Sequence, residues 1–480
     1  MFLLMLQVEP EHLRFGGGAA ETAINPLIAI AILVAGILIV AGSRRSAIVA
    51  FLAVSILIPT DQVAVIAGLH FPVMRILIVF GLIRMLREKL LSKMEIFSGG
   101  INGIDIALIL LTVFTAINGV LLWQITAQVV FQLGSIYSAF GLYFLTRFLI
   151  RDELDVRQVI SSFAYILGVL ALLMVYERAT GHNPAYSFLG GARAATYMVE
   201  IGQDQRIRAM GTFAHPILAG TFGAILFPLS LGMWWKFRQN RAIALIGIVS
   251  SLIIPFTANS STCLIGLFGG AIALCSWPFR KWMRPMRWAI AITLVALHLV
   301  MKAPVWHLIS RIDLTGSSSS YHRYELVNQC ILHFREWFLI GTKNYANWDW
   351  SMYDLSNQYV AVADPSGLIP LLCLIAMIVF GFKYLGRARK AVERDRQQEL
   401  FIWAIGASLF ANVVAFFGVS YFDQTVIAWY ALLAVISAVT LAARKAQTEP
   451  QQEPQLQKPW HSAQTPRDLA PFVEKYRAQV

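Results

Sequence analysis

The stretch from Asn25 to Gly42, NPLIAIAILVAGILIVAG, decides the class of fold. It is continuously apolar, without the alternation that marks a barrel strand. A spanning helix takes about 20 apolar residues, whereas barrel strands are shorter and alternate. In lipid the backbone has to satisfy its own hydrogen bonds, which leaves helices or closed barrels. A run of this kind selects helices.

The rest of the chain repeats that signal. Of 480 residues, 57% are hydrophobic and only 14% charged, and the mean hydropathy is +0.62. The charged share is well below the roughly 25% of soluble domains. The expected fold is therefore all-α, a polytopic transmembrane helical bundle of about 12–14 spans. Candidate spans fall at residues 25–40, 47–59, 63–82, 104–122, 131–149, 161–175, 212–235, 242–256, 263–275, 288–300, 368–382, 401–419 and 426–442. The span at 47–59 is short, and the region through His70 and Pro72 can instead bend or re-enter.

Charge tests the topology independently. The net charge of +12 suggests nucleic acid, but the basic residues fall in a pattern that a membrane explains better. GSRR, RMLREKLLSK, RFLIRDELDVR, KFRQNR, PFRKWMRPMR, KYLGRARKAVERDR and the final AARK all lie at alternate span boundaries. Such clusters mark cytosolic loops. The N-terminal segment 1–22 is then expected outside, and its apolar start lacks the basic region and cleavage site of a removable signal peptide. Spans fill residues 23–301 and 368–442, interrupted by outer loops at 176–211 and 302–367. The tail 443–480, with TEPQQEPQLQKPW, is rich in Gln, Pro and charge, and is expected to be cytosolic and disordered. Cys263, Cys275, Cys330 and Cys373 form no close-spaced metal pattern, and no metal or other cofactor is expected.

Polar chemistry is concentrated in the two outer loops. The first ends in RIRAMGTFAHPILAG, with Arg206 and Arg208 before a new helix and His215-Pro216 at its first turn. Proline is tolerated there, and the first-turn amides favour an anion. Two guanidiniums beside a helix start suit a phosphate clamp; anchoring to anionic headgroups, and a capping role for His215, are the plainer alternatives. The second loop carries Arg311 and then YHRYELVNQCILHFREWFL, whose apolar residues recur at helical spacing, with TGSSSS before it as a source of caps. His322 and Glu325 are three residues apart and share a face, and His333 lies close to three turns further on. The segment offers general bases and cations for phosphate, or else lies along the interface as an amphipathic helix. The following Trp348, Trp350, Tyr353 and Tyr359, with Asn344, Asn347, Asn357 and Gln358, suit sugar stacking and hydroxyl hydrogen bonds. Trp and Tyr are equally at home at any membrane interface. Neither a GxxxxGK[ST] nor a GxGxxG motif occurs.

At these residues the chain resembles the O-antigen ligase and O-antigen polymerase superfamily of bacterial inner-membrane proteins. RAMGTFAHPILAG matches the family's arginine then glycine-threonine-phenylalanine block, TANSSTCLIGLFGG its serine-rich turn, and the loop from YHRYEL to SNQYVAVADPSGLIPLL its large outer loop. Two positions depart: the turn's arginine is replaced by Ser261 or Thr262, and Ser356 stands where a histidine often precedes the late-loop Asn357. The resemblance implies metal-independent glycan transfer at the outer face of the inner membrane, from a polyprenyl-pyrophosphate-linked glycan. The acceptor would be a lipid-linked repeat unit for a polymerase, or a lipid core or protein for a ligase. A chain-length regulator is an implied partner, and nucleic acid is not. Arg208 and Arg323 are then expected to contact pyrophosphate, with Arg206 and Arg311 as weaker candidates. His322, Glu325 and His333 compete as the base, His215 positions the donor phosphate or shapes the loop, and Asn357 binds substrate. A transporter is the rival from another class, and would place critical charges deep in the spans.

Overall fold

The computed structural model describes residues 22–66, 69–92, 95–190, 201, 206–311 and 319–448. Among them the chain is almost entirely helical. In order come α1 (Pro26–Ala41), α2 (Arg44–Leu57), a hairpin of β1 (Val63–Ile66) and β2 (Leu69–Pro72), α3 (Val73–Ser92), α4 (Gly103–Trp123), α5 (Thr126–Leu149), α6 (Glu153–Thr180) and α7 (Pro184–Leu189). Then follow α8 (Pro216–Lys236), α9 (Arg241–Thr257), α10 (Ser261–Cys275), α11 (Met283–Val300), α12 (Ser319–Leu332) and α13 (Phe334–Trp337). The last four are α14 (Gln358–Ser366), α15 (Leu368–Ala391), α16 (Arg396–Ala415) and α17 (Gln424–Thr448).

A helix lies at each of the thirteen expected spans. Among the described residues, nine helical segments are long and apolar enough to cross a membrane. The remaining helices are shorter, as in α1, α2 and α10, or carry more charge, as in α3 with Arg75, Arg84, Arg87, Glu88 and Lys89. One expected boundary moves: residues 63–72 are not the start of a span but an antiparallel hairpin, pairing Val63 with Pro72 and Val65 with His70. A second shift is at 176, where α6 runs on to Thr180 before the first outer loop begins. Residues 1–21 and 449–480, and with them most of the expected N-terminal segment and tail, lie outside the described residues.

The helix ends gather at two poles. At one, the basic clusters meet their counter-ions: Arg44 reaches Asp152 at 2.8 Å and Asp155 at 3.3 Å, and Lys236 reaches Glu153 at 2.6 Å. Arg280 and Arg389 share Glu399 there, at 3.2 and 3.4 Å. Asp105 belongs to this pole too. It closes a capping box with Asn102 at the start of α4, accepts the Tyr143 hydroxyl, and has Arg147 at 3.7 Å. Its charge is thus spent on a helix end. The opposite pole collects the loops and is tied by Gln62, which accepts from Asn25 N and donates to Leu189 O.

Helices α8 and α17 are the most buried of the long helices, and α6 and α16 flank them. Close approach needs small residues here: a Cβ on Gly220 of α8 would sit 2.4 Å from Cys263 Sγ and 2.7 Å from Ala258 Cβ. Gly270 similarly lets α10 meet Pro228 of α8 and Ala411 of α16, as expected for glycines that permit tight helix packing. Helix α11 is the exception, with no buried residue.

Candidate active site

The first stretch to fix is the one joining the first outer loop to α8. Its backbone is pinned from several helices at once. Glu177, fully buried near the end of α6, accepts from Met210 N at 3.1 Å and Gly211 N at 2.8 Å. Gly211 has φ +60°, a left-handed turn that glycine adopts freely. Thr212 donates to Ile56 O, Gln424 donates to Thr212 O, and Ala209 N donates to Thr257 O. Phe213 is buried against Phe222. The chain then enters α8 through His215, whose Nδ1 accepts from Ile217 N, with Pro216 at the first helical position.

Since Nδ1 accepts an amide proton, the neutral ring carries its own proton on Nε2. Burial, reinforced by the nearby Arg208 charge, lowers the His215 pKa to about 4. His215 is therefore a neutral cap at physiological pH, and the positive charge at this helix start belongs to Arg208.

The second outer loop brings Arg323 to the same region. Arg323 lies on α12, is only 6% exposed, and donates through Nη2 to Thr262 Oγ1 at 2.6 Å. Thr262, in the first turn of α10, donates in turn to Gly418 O at 3.2 Å. Gly418 lies in the connection between α16 and α17, and a Cβ there would stand 2.7 Å from Thr262 Cγ2 and 3.1 Å from Arg323 Nε. Arg208 and Arg323 both lie within electrostatic reach of Cys263, which also sits in the first turn of α10. Arg323 is thus held at the start of α10, and Arg208 precedes the start of α8.

The same connection is held by α14. Asn357 caps that helix, accepting from Tyr359 N and Val360 N, and its Nδ2 approaches Phe417 O at 3.4 Å. Gln358 N donates to Phe416 O, while Gln358 Oε1 accepts from Tyr421 N at 2.6 Å. Asn357 is fully buried, so its place in the structure is as a latch between α14 and residues 416–418.

The expected bases separate. His322 is partly exposed and its Nε2 lies 3.1 Å from Asp354 O. A carbonyl only accepts, so Nε2 carries the proton and Nδ1 keeps a lone pair. Burial lowers the His322 pKa and so favours the neutral ring, against the opposing pull of Asp354. Glu325 instead accepts from Gln329 at 2.7 Å and Asn328 at 3.4 Å along its own helix. His333 directly follows the last residue of α12, its amide still donating to Gln329 O at 3.0 Å, and its ring stacks on Trp348 at 4.5 Å and 7°. Arg311 is exposed at the end of a short 3₁₀ segment, and Arg206 is exposed in a cleft with Arg178.

Of the aromatic residues, Trp350 and Tyr353 are exposed, the latter beside His322 at 6.3 Å between ring centres. Trp348 is taken up by His333 and by a bond from its Nε1 to Glu336, and Tyr359 packs on Phe416 and Phe417. Sequence reasoning missed Glu177 and Gly418. Only Glu177 left a signal, as a lone carboxylate in the last turns of an apolar helix. Among the described residues no group of three or more His, Cys, Asp or Glu is placed to hold a metal ion. No protein-family model matches the chain, and no curated protein matches it.

Proposed function

We propose that the chain is a polymerase of polysaccharide repeat units. It moves a glycan from a polyprenyl-pyrophosphate donor to a hydroxyl of a lipid-linked acceptor. The observation that carries this reading is the buried Arg323, held by Thr262 against Gly418 and sharing the neighbourhood of Cys263 with Arg208. Guanidinium forks and first-turn amides both favour phosphate oxygens. In the proposed step the acceptor oxygen attacks the anomeric carbon and the bond from that carbon to the phosphate oxygen breaks. Arg208 and Arg323 stabilise the charge growing on the leaving pyrophosphate. His322 Nδ1 takes the acceptor proton, with Trp350 and Tyr353 as exposed platforms for sugar faces beside it. The pole carrying the loops is proposed to face outward from a bacterial inner membrane, since the basic clusters sit at the other pole.

Deletion and complementation test the reading, with lipid-linked intermediates and glycan length measured together. Single lipid-linked repeat units should accumulate while long chains disappear. Long lipid-linked chains that fail to reach a final acceptor would make the chain a ligase instead, and unchanged glycans on both counts would remove glycan transfer altogether.

A further inference from the structure

A second feature of the loop pole lies on its side wall, between α6 and α9. A cleft of about 390 Å³ opens there, lined by Arg178, Arg206, Leu252, Phe256, Thr257 and Asn259 among others. Arg178 is fixed: its Nη1 reaches Phe256 O and Thr257 O at 3.1 Å and Ile207 O at 3.4 Å, bringing a positive charge to the carbonyl end of α9. Arg206 is exposed on the same cleft.

Below the two arginines the wall is apolar in a regular way. Exposed apolar side chains on α9 include Leu245, Val249, Leu252 and Phe256, with Ile246 beside them; on α6 they include Tyr165, Val169, Leu172 and Tyr176, with Val175 beside them. Both sets follow the spacing of four, three and four residues that keeps side chains on one helix face. The helices run in the same direction and touch where Gly168 meets Ile246, so the stripes flank one seam. From Leu245 to Phe256 the stripe is about 16 Å long at 1.5 Å per residue. That is about half the roughly 30 Å hydrocarbon core of a bilayer.

Two guanidiniums above paired apolar stripes of one leaflet's depth match one kind of molecule. We propose that this cleft binds an anionic phospholipid, its phosphate between Arg178 and Arg206 and its acyl chains along α6 and α9. Ordinary lipid contact explains the stripes alone; the two cations at their upper end select for negative charge. Binding here is independent of the glycan-transfer reading.

The test uses the purified full-length chain, delipidated in detergent and titrated with phosphatidylglycerol or phosphatidylcholine, with bound lipid counted by native mass spectrometry. Phosphatidylglycerol should be retained preferentially, and Arg206→Gln should weaken its retention roughly tenfold, the loss of one charge-assisted contact. Arg206→Lys should keep part of the preference. Arg206→Gln leaves the α9 carbonyl contacts of Arg178 in place. Equal retention of the two lipids, or unchanged retention in Arg206→Gln, overturns the proposal. So does complete displacement of phosphatidylglycerol by millimolar inorganic phosphate, which would leave an anion site without a lipid.

Discussion

Asp364 is the most heavily perturbed carboxyl of the loop pole. It lies on α14 and is fully buried, and neither oxygen has a conventional hydrogen-bond partner; the Cys330 thiol is the near polar neighbour that eases its environment. Burial raises its pKa from 3.8 to about 7. A carboxyl whose folded pKa is raised binds more protons folded than unfolded, so its contribution is fully present below pH 3.8 and lost as pH rises through 7. A shift of this size corresponds to about 4 kcal/mol in total, at roughly 1.4 kcal/mol per pKa unit. Between pH 5 and pH 8 the part that titrates is about 2–3 kcal/mol, roughly a hundredfold in a local opening equilibrium. The assay is hydrogen exchange of the α14 amides in detergent, corrected for the intrinsic pH dependence of exchange. Protection of α14 should fall by about that factor over the interval, and Asp364→Asn should flatten the response. Constant protection from pH 5 to pH 8, or an Asp364→Asn profile that tracks the parent, refutes a neutral buried carboxyl. The consequence reaches the site, because α14 carries the Asn357 latch on residues 416–418 beside Arg323.

Thr262→Val removes one acceptor of the buried Arg323 and the donor to the buried Gly418 O. A loss of about 2–4 kcal/mol is expected, measured as thermal unfolding in detergent, whereas Thr262→Ser should retain most of the stability. His322→Ala should lower glycan transfer by about 10²–10⁴-fold, while His333→Ala, which removes the stack on Trp348 and the Nδ1 contact with Gln329 O, should stay within roughly tenfold; a product-length assay with purified protein distinguishes them, and equal losses would dismiss His322 as the base.

Much of the architecture was legible because it depends on local composition. Continuous apolar runs gave the helices their places, and the alternation of basic clusters anticipated a pole where Arg44 meets Asp152 and Lys236 meets Glu153. The hairpin at 63–72 escaped because its apolar residues resemble the start of a span, and hydropathy does not distinguish a strand pair from a helix over so few residues. His333 escaped for a different reason. The Trp348 that takes up its ring lies beyond the helix, so no helical spacing relates the two. The arginines stood out in the sequence because charge is rare there. What holds them is tertiary: Thr262, Gly418 and Glu177 come from helices and connections far along the chain, and no local pattern relates them. The burial of Asp364 is set by its neighbours, which no local pattern shows.

The central claim is that Arg208 and Arg323 bind and stabilise a leaving pyrophosphate. It is tested most directly by supplying purified protein with a lipid-linked repeat unit and counting released polyprenyl pyrophosphate. The parent protein should release one per linkage formed. Arg323→Gln and Arg208→Gln should each release it about 10²–10³-fold more slowly, with membrane insertion intact. Near-normal release from either variant would contradict the account.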